Sequence, residues 1–280
     1  MSESAKPNPI TTMRVVYEIP GMDSVTVRRG IEYRHGGVGP LALDLYQPAP
    51  PKEDSHPPVV VFITGYPDPG FQAKLGCPQK DMGSYVSWAQ LTAMSGIAAV
   101  TYVNRDPAAD AHAVLAYVRD NAGALGVDGD RIGVWACSGS GPVALSVLMT
   151  EAQGSLRCGV LAYAYSLDEG AHDGVAAAAS QWGFAVLAAG RSVADLPAGL
   201  PLFIARAGRD ACPQLNESLD RFITQALARD LPLTLANLPG APHAFDVMQD
   251  DEASRDGIRQ MLAFMRLHLG GPAPMETGKA

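Results

Sequence analysis

Only four of the 280 residues are cysteine, and Cys77, Cys137, Cys158 and Cys212 follow neither a metal-ligand spacing nor a disulfide framework. A reduced, cytoplasmic setting is the resulting expectation. Basic residues are also scarce, with 21 Lys and Arg against 29 Asp and Glu, a formal net charge of −8 and a sequence pI near 5.2. That balance argues against nucleic acid or an anionic membrane as the partner. The acids are scattered, which suits solubility better than capture of a cation. No stretch of about 18 uncharged apolar residues is present. The Ala-rich segment 174–190 comes nearest, and Gln181, Trp182 and Gly183 interrupt it. The opening Met1-Ser-Glu-Ser-Ala-Lys-Pro-Asn-Pro lacks the apolar centre of a signal peptide. A small-molecule partner is expected, with no membrane and no nucleic acid, for a chain that is a monomer or a homodimer.

What is present is regular alternation. Residues 1–12 and 271–280 are Pro/Gly-rich and polar and read as loose tails, leaving 13–270 for one α/β domain. Val25–Tyr33 and Leu41–Tyr46 read as strands joined by a glycine-rich turn, an antiparallel opening pair. Val59–Ile63 is a continuous apolar run between Pro58 and Gly65, as expected of a strand buried on both faces. Helix Tyr85–Ser95, strand Ile97–Tyr102, helix Ala108–Leu125, strand Ile132–Ala136 and helix Pro142–Met149 follow. Strands Cys158–Tyr163 and Leu202–Ala207, helix Leu215–Asp230, strand Pro232–Leu238 and helix Asp251–Leu269 complete the series. Such βα alternation implies a mostly parallel, doubly wound sheet. The one sizeable insertion, 166–198, is placed to form a small cap, with Trp182 and Phe184 as large apolar side chains expected to wall a substrate pocket.

Arg131-Ile-Gly-Val-Trp-Ala-Cys-Ser-Gly-Ser-Gly-Pro142 puts Ser138 at a strand-to-helix corner. There its hydroxyl is forced outward beside the unpaired N–H groups of a helix start, where an oxyanion can be stabilised. The tight turn demands small neighbours, supplied here by Ala136 and Ser140. A serine nucleophile also needs a base and an acid that orients the base. Of six histidines, His243 lies directly after the last strand, in Leu238-Pro-Gly-Ala-Pro-His-Ala-Phe-Asp246. That loop opens at the carboxyl edge of the sheet, the same edge as Ser138. His35 and His56 sit in polar loops, His112 and His268 within helices, and His172 in the cap. Asp210 lies at another carboxyl-end loop, with Asp168 and Asp173 as competing acids. The Gly139 amide and that of Tyr66, or of Gly65, are the expected oxyanion donors. Cys137 reads as a small buried hydrophobe.

The order Ser138, Asp210, His243 and the segments holding them resemble the α/β-hydrolase superfamily. Tyr33 through Pro48, with Leu41-Ala-Leu-Asp-Leu-Tyr-Gln-Pro48, looks like the opening of its compact serine esterases and dienelactone-hydrolase-like members. The resemblance covers residues 25–270 and implies an α/β-hydrolase fold. It implies hydrolysis of small carboxylic esters through an acyl-enzyme on Ser138, His243 and Asp210, without metal or organic cofactor. A lactone or amide hydrolase on the same residues, or a non-catalytic binding protein of that fold, are the alternatives. Two departures stand out. Ala136 and Ser140 replace the commoner elbow glycines, and Thr64-Gly65-Tyr66 replaces the usual His-Gly pair.

Overall fold

The computed structural model describes residues 9–36, 38–48, 56–151, 154, 156–170, 174–186 and 190–270. Residues 1–8 and 271–280 of the expected tails lie outside that set. Pro9–Thr12, assigned to the first tail from the sequence, form a short helix (α1) in which Thr11 is buried.

Eight strands make one sheet. They are β1 (Thr26–Gly36), β2 (Gly39–Gln47), β3 (Val59–Phe62), β4 (Ala98–Tyr102), β5 (Ile132–Cys137), β6 (Leu156–Ala162), β7 (Leu202–Ala207) and β8 (Leu233–Leu238). Their spatial order is β1-β2-β4-β3-β5-β6-β7-β8. β2 pairs antiparallel with both β1 and β4, and every later pairing is parallel. The antiparallel opening pair and the parallel remainder agree with the alternation in the sequence.

The apolar runs are continuous because helices cover both faces. In β3, Val59 and Val61 enter one core and Val60 and Phe62 the other, as the two-residue period of a strand requires. β7 divides likewise, Leu202 and Ile204 against Phe203 and Ala205. The first core is closed by α4 (Pro107–Asp120), α6 (Gly141–Glu151) and α8 (Leu215–Ala228), the second by α3 (Gly83–Met94) and α10 (Glu252–Leu269). α4 begins on Pro107, where a missing N–H costs nothing, and the Asp106 carboxylate caps it by accepting from the Ala108 and Ala109 amides.

Three shorter helices depart from the sequence reading. α2 (Asp68–Leu75) lies between β3 and α3, where the sequence reading placed no helix. α5 (Ala122–Leu125) is separate from α4, since the chain leaves the helix at Asn121. α9 (Phe245–Met248) immediately follows His243. In the insertion, α7 (Val175–Trp182) packs through Val175, Ala178 and Ala179 on Phe184, Tyr165 and Leu215.

Candidate active site

β5 ends at Cys137, Ser138–Ser140 make one tight helical turn, and α6 starts at Gly141. Ser138 holds a φ of 51°, left-handed backbone that is costly for a residue with a side chain and concentrates where function demands it. Ala136 and Ser140 are fully buried. Gly65 passes so close that a Cβ there would strike the Gly139 carbonyl oxygen and the Ser140 Cα. The Ser140 Oγ accepts a hydrogen bond from the Gly65 N–H at 3.0 Å. This corrects one expectation: the Gly65 amide is committed to fastening β3's exit to the elbow and is not a free oxyanion donor.

His243 and Asp210 reach Ser138 from the neighbouring carboxyl-end loops, after β8 and β7. The Ser138 Oγ lies 3.0 Å from His243 Nε2, and His243 Nδ1 lies 2.7 Å from Asp210 Oδ2. The Asp210 side chain has 0% exposure, and its other oxygen accepts from the Cys212 amide at 2.9 Å. Tyr163 meets the imidazole edge-on with ring centroids 5.0 Å apart. Burial pushes the His243 pKa down, but hydrogen bonding to Asp210 and Cys212 and the Asp210 charge outweigh it and raise the value to about 9.

The competing groups lie elsewhere. Asp168 accepts from the Gly170 amide in a local turn. His35 pairs with Glu32 on β1, and His268 packs on Phe264. His172 and Asp173 lie outside the described residues.

Tyr66 approaches the elbow through its side chain. Its hydroxyl lies against Gly139 at the elbow, and burial pushes its pKa up to about 12, so it stays protonated. A Cβ at position 139 would collide with that hydroxyl and with the Phe184 ring, which makes glycine obligatory there. The Tyr66 backbone is pinned by Asn104, whose Nδ2 donates to the Tyr66 carbonyl at 2.9 Å and to Thr64 Oγ1 at 2.8 Å. The buried Asp68 carboxylate accepts from the Asn104 amide at 2.7 Å and the Gln79 amide at 2.8 Å.

A cavity of about 400 Å³ opens beside Ser138 and His243. Phe71 and Leu75 of α2, Tyr85 and Trp88 of α3, Trp135 of β5 and Met248 of α9 are among its walls. Deeper in the same wall, the buried Asp246 accepts from Trp88 Nε1 at 2.6 Å and the Tyr163 hydroxyl at 2.8 Å. The expectation for the cap is therefore corrected. Trp182 is 48% exposed and lines no part of this cavity. Phe184 is buried, stacked on Tyr165 at 5.0 Å and edge-on to Tyr66 at 5.9 Å, so it braces the Tyr66 ring from behind. Tyr85, Trp88, Trp135 and Asp246 were not legible as pocket residues, because in the sequence they are indistinguishable from helix and strand core. Ser140 was read only as a small neighbour of the elbow, and Asn104 and Asp68 stand in the exits of β4 and β3, where a polar residue carries no sign of the partner it will meet.

Cys137 contacts the Tyr85 hydroxyl at 3.8 Å, and burial pushes its thiol pKa up to about 12, as befits an unreactive hydrophobe. Cys212 is placed differently. Among the described residues, Asp210, Cys212 and His243 form the group whose potential metal-ligating atoms all lie within 4.8 Å of one another.

An eight-stranded sheet of this order, with a serine elbow after β5 and acid and histidine after β7 and β8, has the α/β-hydrolase fold. No family model matches the sequence, and no curated protein matches it. Solved structures do match. A thermostable esterase from Pseudomonas putida superposes with a TM-score of 0.64 at 18% identity, over 88% of this chain and 83% of that one. Esterase LipW from Mycobacterium marinum gives 0.64 at 17% identity, over 88% and 81%. Esterase from the fungus Rhizomucor miehei gives 0.66 at 17%, over 88% and 84%. At such identities the likeness is one of fold. Among the described residues no helix is long and apolar enough to cross a membrane.

Proposed function

We propose that this protein is a serine hydrolase of small carboxylic esters, working through an acyl-enzyme on Ser138, with the catalytic domain spanning 13–270 and segment 166–198 as its cap. The observation that carries the proposal is the continuous chain Ser138 Oγ–His243 Nε2–His243 Nδ1–Asp210 Oδ2, at 3.0 and 2.7 Å, at the mouth of an apolar cavity. Ser138 attacks the ester carbonyl while His243 takes its proton. Asp210, desolvated and anchored by the Cys212 amide, holds the imidazole with its proton on Nδ1 and stabilises the imidazolium that forms. The negative oxygen of the tetrahedral intermediate is received by the Gly139 amide and the Tyr66 hydroxyl, which lie side by side at the elbow. His243 then returns the proton to the departing alcohol, and water releases the acyl group by the same steps in reverse. The esterase structures that share the fold support an ester as the substrate class.

A fluorophosphonate probe should label Ser138 on the native protein, and p-nitrophenyl esters should be turned over. Ser138→Ala should fold normally, since a half-buried hydroxyl with one hydrogen bond, to His243, is all it loses, but kcat should drop by about 10⁴–10⁶. Retained turnover in Ser138→Ala would overturn the proposal. No labelling and no turnover of esters, lactones or amides would leave the binding-protein reading.

A further inference from the structure

We propose that Asp210, Cys212 and His243 form an inhibitory site for a borderline-soft divalent cation, with Zn²⁺ as the fitting ion. The inference goes beyond the hydrolase reading, though the inhibition it describes rests on that reading.

The donor set is a carboxylate, a thiol and an imidazole, whose ligand atoms lie within 4.8 Å of one another. Tetrahedral Zn²⁺ takes these donors at about 2.0–2.3 Å, which places ligand atoms within that mutual range and leaves a fourth position for solvent. The site is partly assembled beforehand. Asp210 is held by the Cys212 amide and already faces His243 Nδ1, so two of the three donors stand side by side and need only part to admit the ion. Burial also matters, because a desolvated carboxylate gains more from a cation than one in water. The other described thiol beside the elbow, Cys137, points to Tyr85 and is held protonated by burial.

Inhibition follows from tautomer chemistry. With the cation on Nδ1, where Asp210 sits, the ring keeps one proton, on Nε2: a neutral imidazole shifts it there from Nδ1, an imidazolium loses its Nδ1 proton to solvent, and the Cys212 thiol also releases its proton to solvent. No electrons are exchanged. An imidazole carrying its proton on Nε2 has no lone pair to accept the proton of Ser138. Coordination therefore disables the base without entering the substrate cavity.

The test uses the full-length protein with ZnCl₂ and CoCl₂ as probes. Zn²⁺ should inhibit p-nitrophenyl ester turnover reversibly, with recovery on chelation. Removing an outer partner of a metal ligand costs about 10–100-fold in affinity, so deleting a ligand should cost at least that. In Cys212→Ala and Cys212→Ser the half-inhibiting Zn²⁺ concentration should thus rise tenfold or more. Co²⁺ should give a thiolate-to-metal charge-transfer absorption that persists in Ser138→Ala and vanishes in Cys212→Ala. Equal Zn²⁺ sensitivity in the Cys212 variants, or absence of a Cys212-dependent cobalt band, overturns the inference. The band does not depend on turnover. A band without ester hydrolysis would sink the hydrolase proposal alone, and hydrolysis without the band would sink this one alone.

Discussion

The hydroxyl of Tyr66 and the imidazole of His243 carry the most consequence per atom. With the phenol as an oxyanion donor, Tyr66→Phe keeps the ring edge-on to Phe184 and removes only the donor. Loss of one such donor costs about 10²–10³ in kcat, and KM should barely move. A Tyr66→Phe enzyme with near-normal kcat would return the role to the Tyr66 backbone amide. For His243, the raised pKa means the resting imidazole holds its proton above the ordinary imidazole value of about 6.5 and sheds it only as the pH approaches about 9. A base must be deprotonated to act. kcat/KM should therefore climb through neutral pH with a single ionisation lying above about 6.5, and Asp210→Asn should move that ionisation downward while cutting kcat steeply. A profile already flat at pH 6 in the unmodified enzyme would contradict this. The stability sign is the matching one: a group whose pKa is raised on folding contributes stability that is present below the unfolded value and fades as pH rises through about 9.

At the scale of elements, the exits of β3 and β4 act together. Asn104, at the end of β4, reaches across to Thr64 and the Tyr66 carbonyl, and Asp68 at the start of α2 anchors Asn104 and Gln79. These bonds do not touch the ester. They place Tyr66, and misplacement of a catalytic group by about 1 Å can cost about 10²-fold. Asn104→Ala should lower kcat by about ten- to a hundredfold with KM little changed, and should cost about 1–3 kcal/mol of stability through the buried groups left unpaired. Combining it with Tyr66→Phe provides the check against a merely structural role. If Asn104 acts by positioning the phenol, its effect on kcat should nearly disappear when the hydroxyl is already gone, while its cost in Tm remains.

The whole molecule decides the shape of the substrate site. The cavity lies between α2, α3 and α9, on the face of the sheet that α3 and α10 cover, while α7 and Phe184 pack in a separate cluster against Tyr66. Selectivity for the size of the ester's apolar group should follow that geometry. Trp182→Ala should leave the ranking of p-nitrophenyl esters of graded chain length unchanged. Leu75→Trp fills the cavity from α2 and should penalise the larger esters selectively, each excluded methylene costing up to about 0.8 kcal/mol of binding. A shifted ranking in Trp182→Ala with none in Leu75→Trp would put the cap back in contact with substrate.

The sequence by itself determined the sheet and the three groups proposed to react. Continuous apolar runs such as Val59–Phe62 can only be strands covered twice, and parallel strands send every following loop to one edge, so Ser138, Asp210 and His243 had to converge. The small side chains of Ala136 and Ser140 marked the elbow because steric crowding there is local. Tertiary structure alone decided what surrounds that edge. Tyr66 was legible as a neighbour of the oxyanion, but only the close approach of β3 to the elbow made its hydroxyl the group that arrives and occupied the Gly65 amide with Ser140. Trp182 and Phe184 were large apolar residues in the only insertion, yet which wall they form depends on how α7 packs, and a single buried cluster took Phe184 away from the cavity. The pocket itself is built from Phe71, Tyr85, Trp88 and Trp135, which lie on separate elements and share no pattern along the chain. Periodicity reports that such residues are buried. It carries no information on whether the space beside them is filled.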